Sequence, residues 1–175
     1  MGAVRFRRDR GGMNRRIVIL GNGSTGTLAA NRLRRHFDDD VRIVVVDRDD
    51  HRDPEVELLV AIGVMGPHAL LPPEDRRLRA GIDFRCAEIG AVDPARQEVC
   101  LGDGTTLGYD VLVVATGARP GVPVSGTAPN VFTVGAVGAV GAPVAEGPQA
   151  HAAVERLVAA VSGYLLRTES GSLAG

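Results

Sequence analysis

The segment from Arg16 to Asp47 leaves this chain few ways to fold. A short apolar run, Ile17-Val18-Ile19-Leu20, leads into Gly21-Asn22-Gly23-Ser24-Thr25-Gly26. An alanine- and leucine-bearing segment follows from Thr27 to Phe37, and a second apolar run, Val41 to Val46, ends on Asp47. Period and punctuation predict a strand, a tight glycine turn, a helix, a second strand and an acid at its tip. Each part suits a dinucleotide. Gly21 permits the turn, Gly23 lets the backbone approach a pyrophosphate, and Gly26 lets the helix pack on the strand. Asn22, Ser24 and Thr25 complete the turn, and the helix N-terminus offers N–H groups and partial positive charge to phosphates. Asp47 comes about 20 residues on, where an acid accepts hydrogen bonds from a ribose hydroxyl pair. The competing reading is a glycine turn with a purely structural role; the strand–turn–helix context and the spacing of the acid favour the dinucleotide site. Arg48 is either a receiver for a ribose 2′-phosphate or a solvated loop arginine.

At 175 residues and 45% apolar content the chain fits one globular domain with a real core. A net charge of −1 gives no reason to expect nucleic acid. All 20 basic residues are arginine, which excludes a lysine Schiff base and a Walker-type phosphate lysine. Two cysteines, Cys86 and Cys100, are too few for a disulfide scaffold and form no C-x-x-C. No secretory apolar region and no bilayer-spanning run is present, so the expected setting is cytoplasmic.

Residues 1–15 are rich in arginine and glycine and read as a disordered basic tail, with Met13 an alternative start. In the first helix Leu28, Ala29 and Leu33 form an apolar face, while Arg32, Arg34 and Arg35 are expected to point outward. A helix is expected from Glu55 to Ile62 and an arginine-rich helical turn from Glu74 to Arg79. His51 and His68 have no metal-ligand partner at useful spacing. Ile82 to Glu88, Glu98 to Leu101 and Thr105 to Leu107 read as strands, the last two joined by the hairpin pair Asp103-Gly104. Cys86 and Cys100 fall on these strands, where they are expected to pack as small hydrophobes. The β-branched run Val111 to Ala115 suits a strand buried on both faces. It ends in Thr116-Gly117, at the carboxyl edge where open α/β sheets bind ligands. A proline- and glycine-rich loop, a short strand from Asn130 to Val134 and a small-residue loop follow. Pro148 then opens a helix to about Leu166, with Val154, Val158, Val161 and Leu165 on one face and a polar tail after it.

Three motifs in series resemble those of the FAD-dependent pyridine nucleotide-disulfide oxidoreductases, in the sulfide:quinone oxidoreductase and type-II NADH dehydrogenase branch. They are the glycine turn with Asp47, the stretch Tyr109-Asp110 through Thr116-Gly117-Ala118-Arg119-Pro120, and Pro129-Asn130-Val131-Phe132-Thr133-Val134-Gly135. The resemblance implies FAD as cofactor, with NAD as the alternative. Gly21, Gly23, Ser24 and Gly26 would hold the pyrophosphate and Asp47 the adenosine ribose. Ile89 would meet the adenine through its backbone. Ala115, Thr116 and Gly117 would lie beside the dinucleotide, and Gly135 would approach the ribitol phosphate. Ala136 stands where relatives carry an aspartate. Where the family inserts a nicotinamide-binding domain, only about ten residues join Gly117 to Pro129, with no second G-x-G-x-x-G. The family's C-terminal region and redox cysteines also have no counterpart.

The expected architecture is therefore α/β: a Rossmann-like three-layer FAD/NAD(P)-binding domain over residues 16–166, with a parallel sheet and a small β-hairpin or meander insertion. The expected function is an FAD-dependent oxidoreductase passing electrons between NAD(P)H, or a redox partner protein, and an acceptor. A catalytically silent dinucleotide-binding module is the alternative.

Overall fold

The computed structural model describes residues 15–48, 54–71, 77–116, 128–134 and 148–172. Apolar, mostly β-branched runs form β1 (Arg15–Leu20), β2 (Val41–Asp47), β3 (Ile82–Cys86) and, later in the chain, β7 (Val111–Val114) and β8 (Val131–Thr133). These five make one parallel sheet in the order β3-β2-β1-β7-β8. Three further strands, β4 (Ile89–Asp93), β5 (Glu98–Leu101) and β6 (Thr106–Gly108), form a separate antiparallel meander. The helices are α1 (Ser24–Phe37), α2 (Pro54–Ala61) and α3 (Pro148–Ser172).

Side chains alternate across a strand, so each apolar run feeds two cores. Ile17, Ile19, Ile43, Val45, Val111 and Val113 face one side, packed with Ala29, Ala30 and Leu33 of α1 and Val154, Val158, Val161 and Leu165 of α3. Val18, Leu20, Val44, Val46, Leu112 and Val114 face the other, against Val92, Val99, Leu101, Leu107 and Tyr109 of the meander. The result is the expected three-layer domain of helices, parallel sheet and meander. Each fully buried Val, Ile or Leu contributes about 1.5–3 kcal/mol.

Two residues of the sequence motifs tie strands together. The Asp110 carboxylate accepts the Arg16 N–H at 2.9 Å, aligning β7 with β1. Asn130 is buried, and its Nδ2 donates to the Asp110 carbonyl at 3.0 Å, bringing β8 to β7.

Several expectations change. β1 begins at Arg15, inside the expected tail, and α3 continues past Leu166 to Ser172. β4 was not anticipated: Ile89-Gly90-Ala91-Val92-Asp93 has a weak pattern of its own, and pairing with β5 makes it a strand. Residues 77–79 are not helical; Asn31 of α1 anchors them, donating from Nδ2 to the Arg77 carbonyl and accepting the Arg79 N–H, both at 2.8 Å. Arg34 is buried rather than outward. Its guanidinium donates to the carbonyls of Val41 at 2.7 Å and Gly81 at 3.0 Å, beside the start of β2 and the approach to β3. Cys86 and Cys100 are both exposed free thiols. Cys86 ends the edge strand β3, and Cys100 points to the opposite side of β5 from the buried Val99 and Leu101.

Candidate functional site

The strand order reverses between β1 and β7: from β1 the chain steps outward to β2 and β3, then returns to β7 on the other flank. Ligands of open α/β sheets bind in the crevice outside the carboxyl ends of the strands at such a switch point. The Gly21–Gly26 turn leaves β1 there, and Ala115-Thr116 leaves β7 beside it. Three backbone hydrogen bonds lock the edge: Gly21 N–H to the Val46 carbonyl at 2.8 Å, Ala115 N–H to Leu20 at 2.8 Å, and Ala87 N–H to Asp47 at 2.9 Å. The last brings the segment before Ile89 against the tip of β2, so Ile89 opens β4 on the Asp47 side of the crevice.

The three glycines of the turn serve different ends. Gly21 has φ +102°, and a Cβ on it would stand 2.6 Å from the Ala115 carbonyl oxygen. Gly26 lies against the Gly21 carbonyl, so closely that any side chain would displace it. Both are explained by contacts inside the chain. Gly23 has ordinary extended backbone (φ −70°, ψ 177°), and a Cβ on it would meet nothing within 4 Å. Neither conformation nor packing requires glycine there, and its bare backbone borders open space at the mouth of the crevice.

That space adjoins the start of α1. Gly23 caps the helix without a side-chain hydrogen bond, the first turn carries no acid, and the Thr27 N–H donates to the Gly23 carbonyl at 2.9 Å. The N–H groups of a helix's first turn have no intrahelical acceptor, and the helix dipole adds partial positive charge. The arrangement suits an anion.

Asp47 is half-buried, and its Oδ2 accepts the Asn22 N–H at 2.6 Å. One carboxylate oxygen thus braces the turn from within, a role the spacing did not reveal. Thr27 was also missed: its buried hydroxyl donates to Asn22 Oδ1 at 2.9 Å and sets the Asn22 side chain. No sequence pattern marks Thr27, because turn geometry selects its partner. Arg48 is exposed, and its carbonyl accepts the Cys86 thiol at 3.4 Å. Ala115 is buried and Thr116 half-buried. The structure brings together Gly21, Asn22, Gly23, Ser24, Thr25, Gly26, Asp47, Ala115 and Thr116. Gly117, Gly135 and Ala136 lie outside the described residues, as does His51. His68 sits exposed in a 3-10 turn, Pro67–Leu70. Among the described residues, no three of His, Cys, Asp and Glu are grouped to hold a metal ion, and no helix is long and apolar enough to cross a membrane.

A parallel sheet of this order, with a glycine turn at its switch point and an antiparallel meander as its third layer, defines an α/β domain of the Rossmann-like FAD/NAD-binding class. The chain belongs to the pyridine nucleotide-disulphide oxidoreductase family, whose model matches residues 15–154. Members of that family bind FAD and NAD(P)H. Among curated proteins the chain is 36% identical over 103 residues to ferroptosis suppressor protein 1 of Taeniopygia guttata, covering 59% of this chain and 26% of that protein. It is 32% identical over 111 residues to a probable ferredoxin reductase, CtmF, of Castellaniella defragrans, covering 61% of this chain and 27% of the relative. The chain therefore spans about a quarter of the length of these relatives. Among solved structures, reductase in a covalent putidaredoxin reductase–putidaredoxin complex is similar at 28% identity and TM-score 0.43, over 65% of this chain and 28% of that one. The sulfide:quinone oxidoreductase of Aquifex aeolicus is similar at 23% identity and TM-score 0.42, over 60% of this chain and 25% of that one.

Proposed function

We propose that this chain is the FAD-binding part of an oxidoreductase that carries electrons between NAD(P)H, or a redox partner protein, and an acceptor. The observation that carries this reading is Gly23, a glycine that the chain's own conformation and packing do not need, bordering open space at the start of α1. Residues and cofactor fit one another there. Gly23 and the N–H groups of Ser24, Thr25 and Gly26 would hold the pyrophosphate. Asp47 would take a ribose hydroxyl while bracing Asn22. Ala115, Thr116 and Gly117 would border the dinucleotide across the switch point, and Ile89 would meet the adenine by its backbone. Gly135 and Ala136 would approach the ribitol, with Ala136 offering no carboxylate to it. When bound, the flavin supplies the electron chemistry; the protein binds, orients and shields it. The family and the curated relatives, among them a probable ferredoxin reductase, support electron transfer as the activity. The unpaired thiols of Cys86 and Cys100 suit a reducing compartment such as the cytoplasm.

One observation favours a second reading, a catalytically silent dinucleotide-binding module. The sequence between Gly117 and Pro129 is short and holds no second glycine fingerprint for a nicotinamide cofactor. The absorption spectrum of the purified protein, FAD titration and exposure to NADH separate the two. The oxidoreductase is yellow and bleaches with NADH; the silent module binds the dinucleotide and does not bleach. Gly23→Leu is expected to fold normally by circular dichroism and to lose FAD affinity. Unchanged affinity in that variant would remove the turn from the site.

A further inference from the structure

Arg16, Arg42 and Asp83 are each the second residue of a strand, β1, β2 and β3 in turn. They stand at the amino ends of the parallel sheet, the edge opposite the one where the Gly21–Gly26 turn leaves it. Side chains alternate across a strand, so Arg16 and Arg42 share the face of Val18 and Val44, on which the meander packs. Asp83 and Arg85 pair in register with Val44 and Val46 and lie on that face too. Between sheet and meander at this end is a cavity of about 340 Å³, within the ~300–1,000 Å³ typical of small-molecule sites. Its lining includes these four charged residues together with Val44 and Leu107. Val44 and Leu107 are buried, Arg16 and Arg85 half-buried, and Arg42 and Asp83 exposed.

We propose that this cavity binds a small organic anion, a carboxylate or phosphate head on a compact apolar body. Three arginines and one aspartate give the lining an excess of positive charge. Arg16 and Arg42 are direct register partners on neighbouring strands, and like charges side by side on a sheet face are unfavourable. Carboxylates outside the lining also reach these arginines: Asp110 accepts the Arg16 N–H, and Asp103 pairs with Arg85. The contacts fix the guanidiniums without exhausting them. Arg42 donates from Nε to Asp83 at 2.8 Å, and Arg85 from Nη2 to Asp103 at 3.1 Å and to Thr105 Oγ1 at 2.8 Å. Arg16 Nη1 donates to the Gly108 carbonyl at 3.1 Å. An arginine carries five N–H donors in a fixed fork. Among the described residues, Nη1 and Nη2 of Arg42 and Nε and Nη1 of Arg85 therefore remain for a further acceptor. Forks already held in place lose less side-chain freedom when an oxyanion arrives. Exposed ion pairs are ordinarily only solvated; these border a wall of Val44 and Leu107, which a bare inorganic ion would leave wet and an apolar body would cover. The site is separate from the glycine turn and needs no dinucleotide.

Titration of the isotope-labelled full chain at neutral pH with benzoate, phenyl phosphate, inorganic phosphate and the neutral benzamide tests this through amide chemical shifts. Benzoate or phenyl phosphate is expected to saturate in the millimolar range, moving the amides of Arg42, Val44, Arg85 and Leu107. The tighter of the two identifies the head. The amides of Gly21 to Gly26 report the dinucleotide site separately, where a phosphate can also settle. Arg42→Gln is expected to weaken binding of that ligand about tenfold. Asp83→Asn removes the one carboxylate of the lining, keeps an acceptor for Arg42, and is expected to tighten binding severalfold. Both residues are exposed, so both variants should keep the wild-type circular dichroism. Opposite changes in affinity on an unchanged fold are not what a purely structural pair would give. The proposal is overturned if neither organic anion gives saturable shifts, or if the shifts are confined to Gly21 to Gly26. It is overturned equally if benzamide or inorganic phosphate binds the cavity as tightly, or if either variant leaves affinity unchanged. A chain that failed to bind FAD would still be expected to show these shifts, so the two sites fail separately.

Discussion

Two of the described glycines at turns, Gly21 and Gly104, share a sign of φ and little else. Gly21 at +102° ends a strand of the parallel sheet, and Gly104 at +79° sits in the hairpin between β5 and β6. A Cβ on Gly21 would stand 2.6 Å from the Ala115 carbonyl; a Cβ on Gly104 would meet nothing within 4 Å. The hairpin is held by its immediate neighbours: Gly104 N–H to the Leu101 carbonyl at 2.9 Å, and Thr105 N–H to Asp103 Oδ1 at 2.8 Å. The parallel turn is held from a distance, by Val46, Asp47 and Ala115. Adjacent antiparallel strands can share a two-residue loop, whereas parallel neighbours are brought together only by long crossovers. One turn is therefore a local device and the other a junction of three chain segments.

The largest effect is expected from Gly26→Ala. The new methyl collides with the Gly21 carbonyl, and because backbone is tied on both sides the collision cannot relax cheaply. A loss of about 3 kcal/mol in denaturant unfolding is expected; a much smaller loss would mean the junction gives way as easily as a hairpin. Next comes Asp47→Ala, which removes a charge-assisted hydrogen bond at 2.6 Å and leaves the Asn22 N–H without it. About 1.5–3 kcal/mol of stability should go, measured with no dinucleotide present. A variant that loses affinity but no stability would show that the acid serves the ligand alone. Gly104→Ala changes only a left-handed backbone in open space, so about 1–2 kcal/mol is expected, below the cost at Gly26.

The meander supplies two smaller tests. Tyr109 is buried, its hydroxyl has no partner among the described residues, and burial first, then the Asp93 charge, push its pKa above the ordinary 10.0. Tyr109→Phe should therefore stabilise the fold by about 1 kcal/mol. The sign of its pH dependence follows: the unfolded phenol ionises at lower pH than the folded one. Stability from this group is full below pH 10 and is lost as pH rises toward the folded value, and the phenylalanine variant should lack that alkaline decline. The smallest effect is at Asp103. The Thr105 hydroxyl, then the Thr105 N–H and Arg85, hold its carboxyl below the ordinary 3.8. Its contribution is present above that pH and lost as pH falls through the lower folded value. Asp103→Asn should flatten only the acid limb of thermal unfolding.

Much of the fold was legible because burial on both faces leaves a strong mark. The runs at 17–20, 41–46 and 111–114 could be little else than interior strands, and the stripe Val154, Val158, Val161 and Leu165 did pack on the sheet. The Asp103-Gly104 pair did join two strands. The misses share a cause. β4 forms because β5 offers it a partner; Arg34 turns inward because carbonyls of Val41 and Gly81 wait there; Cys100 faces out because Val99 and Leu101 take the inner positions. Each depends on residues far along the chain, and a local pattern cannot report them.

The same division runs through the candidate site. Order along the chain was enough to determine that a strand, a glycine turn, a helix and an acid-tipped strand follow one another, since each depends on neighbours a few residues away. Which strand would lie beside β1 was not written there, because runs buried on both faces are interchangeable as partners. Only the assembled sheet, with β7 returning alongside β1, presses Ala115 onto Gly21 and folds Asp47 back on Asn22. With the other two glycines spent on those contacts, Gly23 stands apart as the one whose missing side chain leaves room for something else.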